Sequence, residues 1–362
     1  MSTFGKAIEI NLFGESHGSA IGLTINNFPA GVEIDLNLIQ SSLDSRRPKS
    51  ALSTARKEQD DFEIISGYFN GYTTGSPITF LIRNSDTRSR DYNQNILRPS
   101  HADFTSSVKY DSFNDYRGGG HFSGRLTAPL MILGALSSQL LKKKGIIISS
   151  HIASIKDEID FKFADTKVTE EILKKLNSSH FPVLDSTKTK IFESIILNAK
   201  EAKDSVGGTI ETMIYGLAPG YGNPFFDSIE SVISHLIFSI PAVKGIEFGK
   251  GFSITEMFGS EANDNFCIEN GQVRTKTNNS GGIQGGISNG MPIIFKTAIK
   301  PTASIGKTQD TVDLNKMKEV KLDLEGRHDP SIVHRVIHVI NAVTSYATLE
   351  IIIRNEGTSW IK

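Results

Sequence analysis

The sequence predicts an α+β fold. Three observations carry that expectation: short β-rich runs are scattered over the whole chain, longer segments of helical periodicity separate them, and the two never settle into the regular alternation of a doubly wound parallel sheet. No linker rich in proline, serine or charge divides the 362 residues. The chain therefore reads as a single domain over residues 1–362, although that length would hold two or three.

Taken in order, the strand-like runs are Ile8 to Leu12, Ile21 to Ile25, Ile78 to Ile82, Ile146 to Ile148, Thr209 to Leu217, Ile293 to Ala298 and Leu349 to Ile353. Each is dense in branched or aromatic side chains, which suit a pleated surface. Helical periodicity fits Leu36 to Leu43, Leu126 to Lys144, Thr169 to Leu176, Ser228 to Phe238, Leu314 to Val320 and Ser331 to Tyr346. In the second of these, Leu126, Leu130, Leu133 and Leu140 recur on one face. Lys142, Lys143 and Lys144 close it before Gly145, where cations complement the helix dipole.

Composition narrows the classes. A formal charge of −1 lacks the basic excess of a nucleic-acid binder. The lone Cys267 excludes an intrachain disulfide and any multi-thiolate metal site, and the histidines show no zinc-type spacing with an acidic partner. His334 and His338 are four apart, but they fall in a helical pattern and read as a helix-face pair. No N-terminal signal pattern is seen, and no apolar run reaches the ~18 residues that span a bilayer, so a cytoplasmic protein with no membrane partner is expected.

Chemistry concentrates in a few glycine-rich and basic motifs. The run Arg117-Gly118-Gly119-Gly120-His121-Phe122-Ser123-Gly124-Arg125 puts two guanidinium groups around a nearly bare main chain, just before the helix from Leu126. It reads as an anion cradle at a helix N-terminus; a plain Gly-rich turn and an RNA-binding Arg-Gly segment are the alternatives. Phe13-Gly14-Glu15-Ser16-His17-Gly18 and Arg98-Pro99-Ser100-His101-Ala102-Asp103 each offer a histidine as acid or base, the second at an apparent helix start that Ser100 could cap. Arg46-Arg47-Pro48, with Arg56 further on, adds cations.

Asn279 to Gly290 supplies a second side-chain-poor surface, suited to a flat ring or a phosphate. Lys300 to Ile305 adds a cation and two hydroxyls, and Gly326-Arg327-His328-Asp329-Pro330 places a carboxylate before the C-terminal helix, with Arg335 beyond. Neither a phosphate-binding P-loop nor a Rossmann fingerprint is present. Together the motifs describe an enzyme site with two histidines, a carboxylate and several arginines, for a polyanionic substrate and a bulky cofactor.

The ordered set of these motifs resembles the chorismate synthases over nearly the whole chain, with Asp204 to Gly208 and Ser239 to Gly245 in support. The resemblance implies a β-α-β sandwich assembled as a homotetramer. It implies a carbon–oxygen lyase of the shikimate pathway, which feeds aromatic amino acid biosynthesis. The reaction is a 1,4-anti elimination of phosphate from 5-enolpyruvylshikimate 3-phosphate, with reduced FMN required and no net redox change. By the same resemblance His17 keeps the flavin in its useful protonation state, His101 protonates the departing phosphate, and Asp329 with Ser16 relays the proton from flavin N5. Arg46, Arg47, Arg117, Arg125 and Arg327 hold the substrate's phosphate and carboxylates.

FMN contacts map onto His121, Phe122, Ser123, Pro241, Ala242, Gly285, Lys300, Pro301, Thr302, Ala303, Ser304 and Arg327. An NADP contact of some family members maps onto Arg46, but Leu52 stands where that pattern has a second arginine, so an external flavin reductant is the expected electron source. The chain also departs from the usual pattern at His121, Phe122 and Leu126, where the family has Arg-Ser and a glutamate.

Overall fold

The computed structural model describes residues 2–48, 52, 59–85, 93–324 and 329–361. Two five-stranded sheets, antiparallel at every pairing, face a layer of helices from opposite sides. The first runs Thr3–Phe4, Glu9–Gly14, Ala20–Asn26, Ile78–Arg83, Phe62–Ser66 in spatial order. The second runs Val243–Phe248, Ile293–Ile299, Gly208–Tyr215, Ile147–Ile155, Glu158–Ile159. Helix Ala128–Lys142 packs against strands Ala20–Asn26 and Ile78–Arg83 and against helix Val333–Glu356, which in turn lies on strands Ile147–Ile155 and Gly208–Tyr215. This sheet–helix–sheet layering is the expected α+β sandwich, closed around one continuous apolar cluster.

The two central helices approach closely because Gly134 faces Ala342: a Cβ on Gly134 would lie 2.3 Å from that of Ala342. The first sheet is fastened to the same layer by a buried carboxylate. Glu350 accepts from the backbone N–H groups of Lys6 (2.6 Å), Ala7 (2.9 Å) and Ile8 (2.8 Å) and from Arg354 Nε (2.8 Å). The Tyr346 hydroxyl, one turn away, donates to Ile8 O at 2.6 Å. A fully buried charge is tolerated only with such complete pairing. These bonds fix the strand that leads directly into the Ser16–His17 loop.

Two expectations from periodicity fail. Leu349 to Ile353 is not a strand but the last turns of helix Val333–Glu356. A β-branched run buried on all sides gives no amphipathic signature to tell helix from strand. That helix is long and apolar enough to cross a membrane, yet 94% of its apolar window is buried inside the protein. Leu314 to Val320 is not a helix but the turn and second strand of a hairpin, Gln309–Asp313 with Lys318–Leu322. There Asp313 Oδ1 accepts from the N–H groups of Asn315 (3.0 Å) and Lys316 (3.2 Å), so a local side-chain turn outcompetes helix formation.

The helix expected from Leu126 starts as an α-helix only at Ala128, after two 3₁₀ segments, Arg117–Phe122 and Gly124–Thr127. The strand expected at Ile146 to Ile148 continues to Ile155 through Ser149, Ser150 and His151. Those polar residues are buried but bonded: Ser150 Oγ lies 2.8 Å from Thr212 Oγ1, and His151 Nε2 lies 2.8 Å from Glu211 Oε2. Helix Lys188–Glu201 and strand Val243–Phe248 were not apparent from periodicity.

His334 and His338 are buried in the C-terminal helix, as a helix-face pair. Burial, reinforced by the Arg335 charge, lowers His334 from 6.5 to about 4 against a weaker opposing pull from Asp329. A ring harder to protonate when folded favours the unfolded state as pH falls through the interval between those values. The loss is about 3 kcal/mol at 1.36 kcal/mol per unit. Replacing His334 with Phe, which keeps the stack on Phe181, should flatten this acid limb relative to the parent. Guanidinium unfolding at pH 7 and at pH ~4.5 measures it; equal slopes for parent and variant would refute the assignment.

Candidate active site

The site is organised by three consecutive glycines that all have left-handed φ: Gly118 (59°), Gly119 (89°) and Gly120 (52°). A Cβ on Gly118 would lie 2.0 Å from His17 Cε1 and 2.2 Å from His17 Nδ1. A Cβ on Gly119 would lie 3.1 Å from His101 Cε1. The bare main chain is therefore a spacer with an imidazole seated against each of two adjacent residues. It lies one short 3₁₀ segment ahead of the α-helix rather than at its N-terminus, so the run acts as a platform for histidines before it acts as an anion cradle.

Ser16 is fully buried and His17 nearly so. Ser16 Oγ lies 3.0 Å from His17 Nδ1 and 3.2 Å from Arg117 O. A carbonyl only accepts, so the single hydroxyl hydrogen goes to Arg117 O, and His17 donates from Nδ1 to Oγ. The neutral His17 ring then carries its lone pair on Nε2.

On the other side, His101 lies in a turn that Ser100 enters with φ 57°. The short helix begins at Asp103 with no side-chain cap, so Ser100 does not cap it. His101 Nδ1 is 2.6 Å from Asp103 Oδ1, and Arg98 forks onto the same carboxylate. Asp329 is held from two sides: Arg335 Nη1 donates to its Oδ2 at 2.8 Å, and Thr302 Oγ1 donates to its backbone oxygen at 2.7 Å.

The arginines divide into two groups. Arg46 and Arg125 are buried and share Asp60, Arg46 Nη2 at 3.1 Å from Oδ2 and Arg125 Nη1 on Oδ1. Burial is the main reason Arg46 is lowered to about 10; Asp60 works against it, and the charges of Arg335 and Arg125 add to it. Burial would push the Asp60 carboxyl up, but the two guanidinium groups outweigh it and hold it below its usual range. Arg46 Nε has no hydrogen-bond partner among the described residues. Arg47 pairs with Asp44 at 2.9 Å and also lines the cavity described below. Arg117 turns onto Asp115 in a two-bond fork of 2.8 and 2.7 Å and is not part of the cavity wall. Arg327 lies outside the described residues, as do Arg56, Gly326 and His328.

A cavity of 1520 Å³ opens over these groups. His17, His101, Arg46, Arg47, Arg125, Asp329, His121 to Ser123, Pro241, Ala242 and Lys300 to Ser304 all line it. The last two segments, distant in sequence, are joined by Lys300 N donating to Ala242 O at 2.9 Å, and Lys300 Nζ donates to Ser100 O at 2.6 Å. Burial, with Lys244 close by, lowers the Lys300 ammonium. His121 bonds through both ring nitrogens, Nδ1 to Gly14 O and Nε2 to Ser2 Oγ, each at 2.9 Å. The ring therefore ties the N-terminus to the glycine run, and only its faces are left for a ligand.

Gly285 stands apart from the cavity, in a turn between two short strands. The glycines around it answer close packing: a Cβ on Gly281 would lie 2.5 Å from Gly249 N and one on Gly286 2.7 Å from Ser228 Cβ. Leu52, at the expected second nicotinamide arginine, is buried in the core cluster. Sequence reasoning missed Asp60, which lies in none of the motifs. It missed Asn84, which joins Arg125 Nε (3.2 Å) to Glu15 O and Gly18 O (both 2.9 Å). It also missed His235, a cavity-lining ring whose centroid lies 4.7 Å from that of Phe4 at an interplanar angle of 46°.

Fold and cavity define an α+β enzyme whose histidines and buried arginines suit a small anionic substrate. A model of the chorismate synthase family matches residues 8–353. Chorismate synthases of Thermococcus gammatolerans and Dehalococcoides mccartyi are 42% and 41% identical, covering 98% of this chain and 98% and 97% of their own lengths. That of Pyrococcus abyssi is 44% identical over 94% of this chain and 95% of its own. A chorismate synthase crystal structure superposes with a TM-score of 0.77 at 27% identity, covering 98% of this chain and 94% of that one. The chain belongs to the chorismate synthase family, whose members are lyases of aromatic amino acid biosynthesis.

Replacing Gly118 with Ala should displace the His17 ring and cost about 1–3 kcal/mol, from left-handed strain together with the overlap. Gly124→Ala, where a Cβ meets nothing within 4 Å, is the matched control. Chemical unfolding and the His17 ring NMR signals report both effects, and an unperturbed His17 in Gly118→Ala would contradict the spacer role.

Proposed function

We propose that this protein catalyses the 1,4-anti elimination of phosphate from 5-enolpyruvylshikimate 3-phosphate to give chorismate. It does so with reduced FMN bound, as a single-domain subunit of a cytoplasmic homotetramer. The observation that carries the reading is the seating of His17 and His101 against adjacent glycines on the wall of one cavity, beside the buried Arg46 and Arg125. Membership of the chorismate synthase family supports the reading of the substrate and of the assembly.

The donor set fits a flavin. The wall combines an apolar face, Ile10, Leu12, Leu130, Leu133, Val339 and Val343, with the Lys300 cation and the hydroxyls of Ser123, Thr302 and Ser304. That pairing suits a ring system carrying a phosphate. The volume exceeds the roughly 300–1,000 Å³ of a pocket for one ligand, leaving room for a substrate beside it. His121, Phe122, Ser123, Pro241, Ala242 and Lys300 to Ser304 would hold the cofactor, with Arg327 as a further contact; Gly285, apart from the cavity, is not one of them. Reduced FMN supplies electron density to the allylic system and a place for the hydrogen that leaves the neighbouring carbon.

The chain's own residues do the rest. Arg46, Arg47 and Arg125, with Arg327, bind the phosphate and carboxylates at about 1.5–3 kcal/mol for each charged hydrogen bond, while Arg117, committed to Asp115 outside the cavity wall, is not among them. His101 gives the Nε2 proton to a phosphate oxygen as the C–O bond breaks, so that the leaving group departs at a lower charge. His17 keeps its Nδ1 hydrogen on Ser16 and presents Nε2 to the cavity. Ser16, buried behind that ring, acts through it. Asp329, held by Arg335, would accept the proton released as the substrate hydrogen leaves, which balances the one His101 gives to phosphate, and pass it to solvent. Electrons come from an external flavin reductant. Arg46 as a nicotinamide contact is disfavoured by the buried Leu52 at the position of the second arginine.

Under anaerobic conditions with chemically reduced FMN, the protein should release phosphate and form chorismate; no turnover there would refute the proposal. In the same assay His101→Ala should lower kcat by about 10²–10⁴-fold while the affinity for reduced FMN changes less than about threefold. Collapse of flavin binding instead would remove His101 from the role of phosphate acid.

A further inference from the structure

We propose that Asp103, clamped by Arg98, is the positioning residue of His101: it holds the imidazole as the Nδ1–H tautomer and leaves the Nε2 edge, set against Gly119, as the one that exchanges protons. The role is an extension of the proposed lyase reading. The dyad itself rests on geometry alone.

Every acceptor site on the Asp103 carboxylate is filled from the turn it closes. Oδ2 accepts from Arg98 N (2.9 Å) and Arg98 Nε (2.8 Å), and Oδ1 accepts from Arg98 Nη2 (2.8 Å) and His101 Nδ1 (2.6 Å). Burial would raise this carboxyl, but hydrogen bonds from Arg98 and His101 outweigh it and hold it well below the usual carboxylate range. An ionised carboxylate has no hydrogen to give. The shortest of its contacts is to Nδ1, so the hydrogen between them belongs to the ring. Arg98 Nη2 also approaches Nδ1, at 3.1 Å, but its shorter contact is to Oδ1.

With Nδ1 occupied, proton traffic is confined to Nε2. Its edge of the ring faces Gly119, the residue whose missing Cβ leaves room for it. The consequence for proton transfer is simple. As an imidazolium, His101 donates from both nitrogens. When Nε2 hands its proton to the phosphate oxygen, the neutral ring that remains is already the tautomer that Asp103 stabilises, so the ring need neither flip nor exchange partners. Arg98 keeps the carboxylate from rotating and saturates its other lone pairs. An amide in place of the carboxylate could donate to Nδ1, which stabilises the opposite tautomer with the hydrogen on Nε2 and the lone pair on Nδ1. Asp103 is a first-turn residue of helix Asp103–Lys109, yet a helix-dipole role alone requires neither the fork nor the 2.6 Å contact.

The test combines ¹⁵N-histidine NMR of the full chain, with the His101 signal assigned by its loss in His101→Gln, and anaerobic kinetics of the enzyme reconstituted with reduced FMN. The parent's neutral His101 should show Nδ1–H. Asp103→Asn should shift it towards Nε2–H and lower kcat by about 10²-fold or more with the substrate KM changed less than about threefold. Asp103→Glu should recover part of the loss. A parent ring with its hydrogen on Nε2 overturns the proposal even if Asp103→Asn does not fold. A folded Asp103→Asn with unchanged tautomer, or with kcat within about threefold of the parent, overturns it as well. A dyad seen by NMR in a protein that forms no chorismate upholds the positioning of the ring and refutes the lyase reading instead.

Discussion

Much of the site depends on one steric constraint: two imidazole rings are packed against a main chain that has no room for a β-carbon. Gly118 and Gly119 sit in left-handed conformations that bring the backbone against His17 and His101. Neither position tolerates a side chain without moving a ring. The same turn carries Arg117 outward to Asp115 and Arg125 inward to Asp60. The glycines thus set both which histidines converge and which arginine faces the cavity. A run that looks flexible in sequence is over-determined in space.

Around that spacer, charge is organised by carboxylates rather than by free cations. Asp60 binds Arg46 and Arg125, Asp103 binds Arg98 and His101, Asp329 binds Arg335, and Asp115 binds Arg117. Buried guanidinium groups without anions would cost several kcal/mol each, so the pairs keep the arginines charged and aimed. An incoming phosphate or carboxylate then meets pre-oriented donors. Glu350 solves the analogous problem for the scaffold, capturing three backbone N–H groups and Arg354 to lock the first sheet onto the C-terminal helix.

Much of the fold was legible because it follows from local pattern. Strands such as Ile21 to Ile25 and Ile78 to Ile82 and the helix Ser228 to Phe238 appear close to where periodicity put them. The readings that failed did so where local and tertiary preferences conflict. Leu349 to Ile353 is β-branched but surrounded on all sides, so burial decides for the helix. Leu314 to Val320 has a helical apolar spacing, but Asp313 captures two backbone N–H groups and turns the chain. Ser149 to His151 interrupts an apolar run, yet the strand continues because Thr212 and Glu211 of the neighbouring strand bond Ser150 and His151, and Leu173 O of a packed helix accepts from Ser149.

By itself the sequence determined the class of fold, the family, and the residue types available for chemistry, because these are written in periodicity and in contiguous motifs. Only the tertiary structure decided which of those residues meet. It placed Ser16 behind His17, turned Arg117 and Gly285 away from the cavity wall, and joined Lys300 to Ala242. It also brought in Asp60, Asn84 and His235, which carry no local signal. The reason is physical. Partners separated by tens or hundreds of residues are chosen by packing, by the need to pair every buried charge, and by the few places where a bare backbone lets two rings come close.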